Sequence, residues 1–201
     1  MRFRVIIIIL LFWVQKSFAD YDPTPLPQLI IDSDLILQGK IVRIDSLTFT
    51  LLIKEYIKGE YDLHAIQIRK FEDWTCANRL PKYEIGQEEI VFLKANNQLK
   101  EWIILGAGNE GELLIQNDSI VYEDIYWDSK SGCSKIEYFG YEICGWKYSL
   151  SDFLGAIYQY LKNFELIEQQ YKIEHSVPEE TGLNKAYDRM LYETPNYLIF
   201  K

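Results

Sequence analysis

Residues 145–164 read G-W-K-Y-S-L-S-D-F-L-G-A-I-Y-Q-Y-L-K-N-F, and they contain the point at which the chain changes period. From Leu150 the apolar residues Leu150, Phe153, Leu154, Ile157, Tyr158, Leu161 and Phe164 fall three or four apart, which places them along one face of a helix. Ser149 followed by Asp152 resembles a capping box, with Asp in place of the usual Glu. The spacing predicts a helix over about 149–171. Everything before Ser149 has a different rhythm. His64–Phe71 (H-A-I-Q-I-R-K-F) alternates as a half-buried strand does. Leu47–Tyr56, rich in β-branched and aromatic residues, is a second strand. Ile30-Ile31 and then Leu35–Val42 read as another, with Gly39 marking a bulge or bend. Glu89–Lys94 and Glu101–Leu105, joined around Asn96-Asn97, complete five strands. Glu112–Gln116, Ile120–Trp127 and the extended stretch Lys135–Tyr148, broken by Gly140 and Gly145, follow. The expected fold is therefore mainly β with a C-terminal helix: an OB-like five-stranded barrel over 29–148, with an extra hairpin and a packed helix.

The flanks read differently. Arg2 and Arg4, the apolar run Val5–Val14 and the small residues Ser17 and Ala19 have the layout of a secretory signal peptide over 1–19, cut before Asp20. The run falls short of the ~20 apolar residues that span a bilayer, so no stable membrane span is expected. Asp20–Gln28 (D-Y-D-P-T-P-L-P-Q) reads as an extended leader, and 172–201 is a tail of mixed character. Cleavage removes Arg2, Arg4 and Lys16, moving the formal net charge from −9 to −12. Such a surface repels phosphate backbones and argues against nucleic acid as a partner. The expected location is periplasmic or extracellular.

An exported chain with three cysteines, Cys76, Cys133 and Cys144, closes at most one internal bridge. Cys133 and Cys144 flank a predicted hairpin and are the candidate pair; pairing of either with Cys76 is the alternative. There is no CxxC, no zinc-type Cys/His cluster, and His64 and His175 lie far apart, so neither a metal nor another cofactor is expected. Gly106-Ala-Gly108-Asn-Glu-Gly111-Glu112 formally matches the dinucleotide fingerprint, but the next residues read as a strand and turn ending at Asn117-Asp118. The helix N-terminus that would hold the phosphates is missing. Asp118, Glu123, Asp124 and Asp128 lack the spacing of a calcium loop. Glu110, Glu112 and Asp118 are the carboxylates from which a glycan hydrolase would be built; the plainer reading is that they are solvated loop charges.

One stretch has a family likeness. Ser33–Ile41 (S-D-L-I-L-Q-G-K-I) resembles the opening strand of the netrin-like family, which includes the tissue inhibitors of metalloproteinases. Tyr56-Ile57-Lys58-Gly59 resembles the lysine-glycine turn after its second long strand, and Gly86–Leu93 resembles its glycine-then-strand signature. Cys76 falls where that family often carries a cysteine. The likeness covers residues 33–105 and implies an OB-type barrel with a helix packed on it. It does not extend to the inhibitory end, because those inhibitors begin with a zinc-chelating cysteine and the expected mature chain begins Asp20-Tyr21-Asp22-Pro23.

The expected function is thus a non-catalytic interaction module, with a protease inhibitor of netrin-like type and a carboxylate-based glycan hydrolase as alternatives. With 15 Tyr, 10 Phe and 5 Trp the chain is rich in large rigid side chains. Trp74, Tyr126 and Trp127 lie in or beside loops and are the candidate binding residues for an extracellular protein or glycan. No motif specifies an oligomeric state.

Overall fold

The computed structural model describes residues 24, 26–75, 77–123 and 135–174, with the side chains of 123 and 164–174 excepted. A short helix, α1 (Leu26–Asp32), precedes β1 (Leu35–Ile44), β2 (Thr48–Lys58), β3 (Ala65–Arg69), β4 (Glu88–Asn96) and β5 (Glu101–Ile104). These five strands lie in the order β1-β2-β3-β5-β4, and β4 pairs back onto β1 through Leu35↔Leu93 to Lys40↔Glu88, which closes the barrel. All contacts are antiparallel except β3 with β5, which meet in parallel at Ile68↔Trp102. The expected OB-like barrel is present. At Gly39 the β1–β2 register slips, as the sequence suggested. A Cβ there would come within 2.6 Å of the Leu52 carbonyl oxygen, so the close crossing of the two strands excludes a side chain.

Beyond the barrel, β6 (Glu112–Ile115) continues along β4 where β5 stops. A tight turn at Asn117-Asp118, both at positive φ, leads to β7 (Ser119–Glu123). β8 (Lys135–Tyr138) and β9 (Tyr141–Ser149) form the expected hairpin, turning through Phe139 and Gly140, also at positive φ. β9 lies between β7 and β8 in a small second sheet. The chain then enters α2 (Leu150–Glu174), where the Ser149 hydroxyl accepts the Asp152 amide at 3.1 Å, as an N-cap should.

Two cores result. Leu37, Ile41, Phe49, Leu51, Ile66, Ile68, Val91 and Leu93 fill the barrel. Ile36, Ile57, Ile90, Phe92, Leu113 and Ile120 face outward, where α1 and α2 cover them with Leu26, Leu29, Ile30, Phe153, Ala156, Ile157 and Tyr160. Because β1 and β4 are covered on both faces, they read as continuous apolar runs rather than alternating ones. The buried stripe of α2 is rotated from the one that the apolar spacing suggests. Ala156 and Tyr160 point inward, while Tyr158 sits at the edge and donates its hydroxyl to Glu55 of β2 at 2.5 Å.

The structure differs from the sequence reading at the N-terminal flank. Leu26–Asp32 is helical, so α1 takes the end of the expected leader and the Ile30-Ile31 pair expected to open a strand. Seven residues do not make a stable helix alone. Tertiary contacts supply the stability: Leu26, Leu29 and Ile30 are buried, and Lys58 Nζ donates to the carbonyls of Ile30, Ile31 and Ser33 at 2.6, 2.9 and 2.6 Å. Lys94 bonds the Asp32 carbonyl and the Asp34 carboxylate. Two cations thus satisfy the carbonyls at the helix C-terminus.

Candidate functional site

The β3–β4 connection, residues 70–87, closes one end of the barrel. Tyr83 reaches inward and its ring lies 5.1 Å from that of Phe49. Arg79 stacks on Tyr83, its guanidinium carbon 3.7 Å from the ring centre. Two strand residues meet them. Glu89 of β4 shares the inward parity of Val91 and Leu93, and Glu112 of β6 lies opposite Val91. Both carboxylates therefore enter the same closed space from adjacent strands.

Arg79 is 3% exposed and Glu89 and Glu112 are 0% exposed. Arg79 donates one η-nitrogen to Glu89 Oε2 at 2.9 Å and to Gln87 Oε1 at 3.2 Å, and the other to the Pro81 carbonyl. Its Nε stands 3.2 Å from Glu112 Oε2 but is not aligned for a hydrogen bond. Tyr83 donates its hydroxyl to Glu112 Oε2 at 2.8 Å and accepts the Phe71 amide at 2.8 Å. Glu89 Oε1 and Glu112 Oε1 are buried with no hydrogen-bond partner. Burial, and then the neighbouring Glu112 charge, pushes Glu89 up to about 8, against the pull of Arg79. Burial pushes Glu112 up to about 7, against Arg79 and the Tyr83 hydroxyl. The Tyr83 phenol is raised by burial and by Glu112, so it stays protonated. Burial opposes the Arg79 charge, but the two carboxylates outweigh it and its pKa rises.

The glycine-rich stretch 106–111 is the second anchor of the connection. The Leu105 amide donates to the Phe92 carbonyl and the Phe92 amide to the Gly111 carbonyl, so residues 106–110 loop out between β5 and β6. Gly108 packs against the backbone of Asn78, where a Cβ would come within 2.8 Å of the carbonyl oxygen. Asn109 Oδ1 accepts the Leu80 amide at 3.0 Å. The glycines serve loop packing, and a strand rather than a helix follows them. Glu110 Oε2 accepts the Ala107 amide at 3.0 Å.

Held in this way, the connection displays Trp74. Trp74 and Ala77 exchange backbone hydrogen bonds at 3.0 and 3.2 Å across a tight turn. Asp73 Oδ1 accepts the Arg79 amide at 2.9 Å, and Trp74 is 43% exposed. Beside this region a groove of about 190 Å³ is lined by Arg69, Lys70, Phe71, Glu72, Ile103 and Ile104, where β3 and β5 diverge beyond Ile68↔Trp102. Its cations are engaged: Arg69 pairs with Glu72 and Glu101, and Lys70 bonds the Asp45 carbonyl.

Of the residues singled out from sequence, Tyr126, Trp127, Cys76 and Cys133 lie outside the described residues. Cys144 is disulfide-bonded, and the register places Lys135 opposite it in the hairpin. Glu110 and Glu112 are not solvated loop charges: they are 7% and 0% exposed, and Glu112 faces Arg79 rather than Glu110 or Asp118. Sequence reasoning missed Arg79, Tyr83 and Glu89. The signal for Glu89 was present, as a carboxylate at the inward parity of an apolar strand. Arg79 and Tyr83 sit in irregular chain with no period to mark them.

Among the described residues no group of three or more His, Cys, Asp or Glu is placed to hold a metal ion, and no helix is long and apolar enough to cross a membrane. The fold and site define an OB-like barrel closed by a buried ionic cluster. The sequence matches no family model and no curated protein.

Proposed function

We propose that the mature chain is an exported, non-catalytic interaction module that binds an extracellular protein or glycan through the Trp74 turn. The observation that carries this reading is the presentation of Trp74. A large, half-open indole stands on a turn fastened at Asp73, Arg79, Leu80 and Asn78. An aromatic anchor ordered before binding loses little entropy on contact. The test uses mature protein with a verified Asp20 start, immobilised and probed with a glycan array and with fractionated extracellular proteins. Trp74→Ala is expected to weaken binding at least about tenfold while leaving the melting temperature unchanged. Equal binding by the variant, or no binding on either arm, overturns the proposal.

A protease inhibitor is the second reading, favoured by the OB-like barrel and by the likeness of residues 33–105 to the netrin-like family. The family's chelating mechanism is not expected here, because Asp20-Tyr21-Asp22-Pro23 lacks the cysteine that presents amine and carbonyl to zinc. Assay against a panel of zinc proteases separates the two readings. Tight inhibition that disappears on deletion of 20–23 would put the inhibitor first.

A further inference from the structure

We propose that Arg79, Glu89 and Glu112 form a proton-dependent latch, in which one shared proton keeps the β3–β4 connection fastened to the barrel and its loss loosens the Trp74 turn. The proposal rests on the reading of that turn as the binding element and says when it is pre-ordered. Two carboxylates face one guanidinium in a space that solvent does not reach. Fully ionised, the cluster would carry a net negative charge. Tyr83 gives its only proton to Glu112 Oε2 and Arg79 gives its η-nitrogens to Glu89, Gln87 and Pro81, while the Arg79 Nε–H, 3.2 Å from Glu112 Oε2, is not aligned to donate. Glu89 Oε1 and Glu112 Oε1 are left bare. An uncompensated buried charge is costly, so such a group takes up a proton instead. One proton brings the cluster to neutrality.

The surroundings do not supply a second counter-charge. From the connection, Arg79, Tyr83 and Gln87 face the carboxylates; Lys70 Nζ lies 5.7 Å from the Tyr83 ring centre, and Asp73 holds the Arg79 amide. Glu110 stands two residues before Glu112 and bonds backbone. Among the described residues, Arg79 is the cation in ion-pair contact with either glutamate. When the shared proton leaves, the carboxylates must gain water. β4 is bonded along both edges by β1, β5 and β6. The connection is bonded to the barrel backbone at its ends, Lys70 to Leu47 and Gly86 and Gln87 to Ile41, and among its described residues from Phe71 to Ile85 no backbone group pairs with a barrel strand, so that stretch is the part that lifts.

Hydrogen exchange of the mature protein at about pH 6 and about pH 9, with rates normalised to intrinsic exchange, tests the latch. The Arg79 and Leu80 amides are expected to lose protection roughly tenfold or more at the higher pH, while β4 amides keep theirs. Glu89→Gln is expected to hold the protection of these two amides at both values. Unchanged protection in the parent, or the same loss in the variant, overturns the proposal. Infrared spectroscopy of the unaltered protein is a second readout that needs no variant. A protonated carboxylic acid band at neutral pH that disappears by about pH 9 is expected, since exposed carboxyls are ionised well below neutrality. Absence of that band also overturns the latch. Neither readout involves a partner, so a failed latch and a failed Trp74 binding reading are separable.

Discussion

Arg79 shows how much of the site can depend on one side chain. It links the connection to β4 through Glu89 and to β6 through Glu112, and it supports the Tyr83 ring. Removing one partner of a buried ion pair leaves charge without compensation, at a cost of about 3–5 kcal/mol. Arg79→Leu should therefore lower neutral-pH stability by that order in denaturant titration, while Arg79→Lys, which lacks the fork, should recover only part of it. Gly111 illustrates a different constraint. A Cβ there would lie 1.9 Å from the Leu105 carbonyl oxygen, so Gly111→Ala must shift the backbone next to Glu112. Its loss of stability, read in the same titration, should exceed the ~1 kcal/mol typical of a point substitution.

At the scale of elements, α1 and α2 show two ways in which a helix is secured. α2 carries its own instructions: a Ser149 cap and an apolar stripe. Ser149→Ala should cost about 1 kcal/mol, seen as a lowered midpoint of unfolding. α1 depends on what packs around it, and Lys58 holds three carbonyls at its end. Lys58→Met keeps the apolar stem but strips those donors, so it should selectively raise exchange at the amides of residues 29–33 and leave the barrel protected. The β8–β9 hairpin bears on the disulfide. The bond at Cys144 is proposed to join Cys133, although Lys135 occupies the position across the ladder. Peptide mapping of a non-reduced digest decides it, and a linked peptide containing Cys76 would refute the pairing.

For the whole molecule, the buried cluster sets the pH dependence of stability. Burial, with the Glu112 charge acting on Glu89, raises the coupled Glu89–Glu112 pair from the ordinary 4.5 to as high as about 8 in the folded state. Between those limits the folded state holds a proton that the unfolded chain has released. The cluster's contribution to stability is therefore fully present below the ordinary carboxylate value and is lost as pH rises through the raised one, by a few kcal/mol in order of magnitude. Thermal melts across this window should show the decline, and Glu89→Gln should flatten it. A paired carboxylate of ordinary type would give the opposite slope.

The sequence by itself determined the strand-rich body, the change to helical period at Ser149, the bulge at Gly39, the turn at Asn117-Asp118 and the break at Gly140, though not the break expected at Gly145, which lies within β9 paired with Glu123. Each of these is written in short-range spacing or in a backbone requirement that few residues meet. Only the tertiary structure decided that Leu26–Asp32 is a helix, that Glu112 is buried, and that Arg79 and Tyr83 close the barrel. Those outcomes depend on groups distant along the chain: Lys58 lies 25–28 residues from the carbonyls it caps, and Tyr83 lies 29 from Glu112. Local pattern carries no record of such partners. A glutamate reads as solvated until the fold surrounds it, and burial then determines its charge.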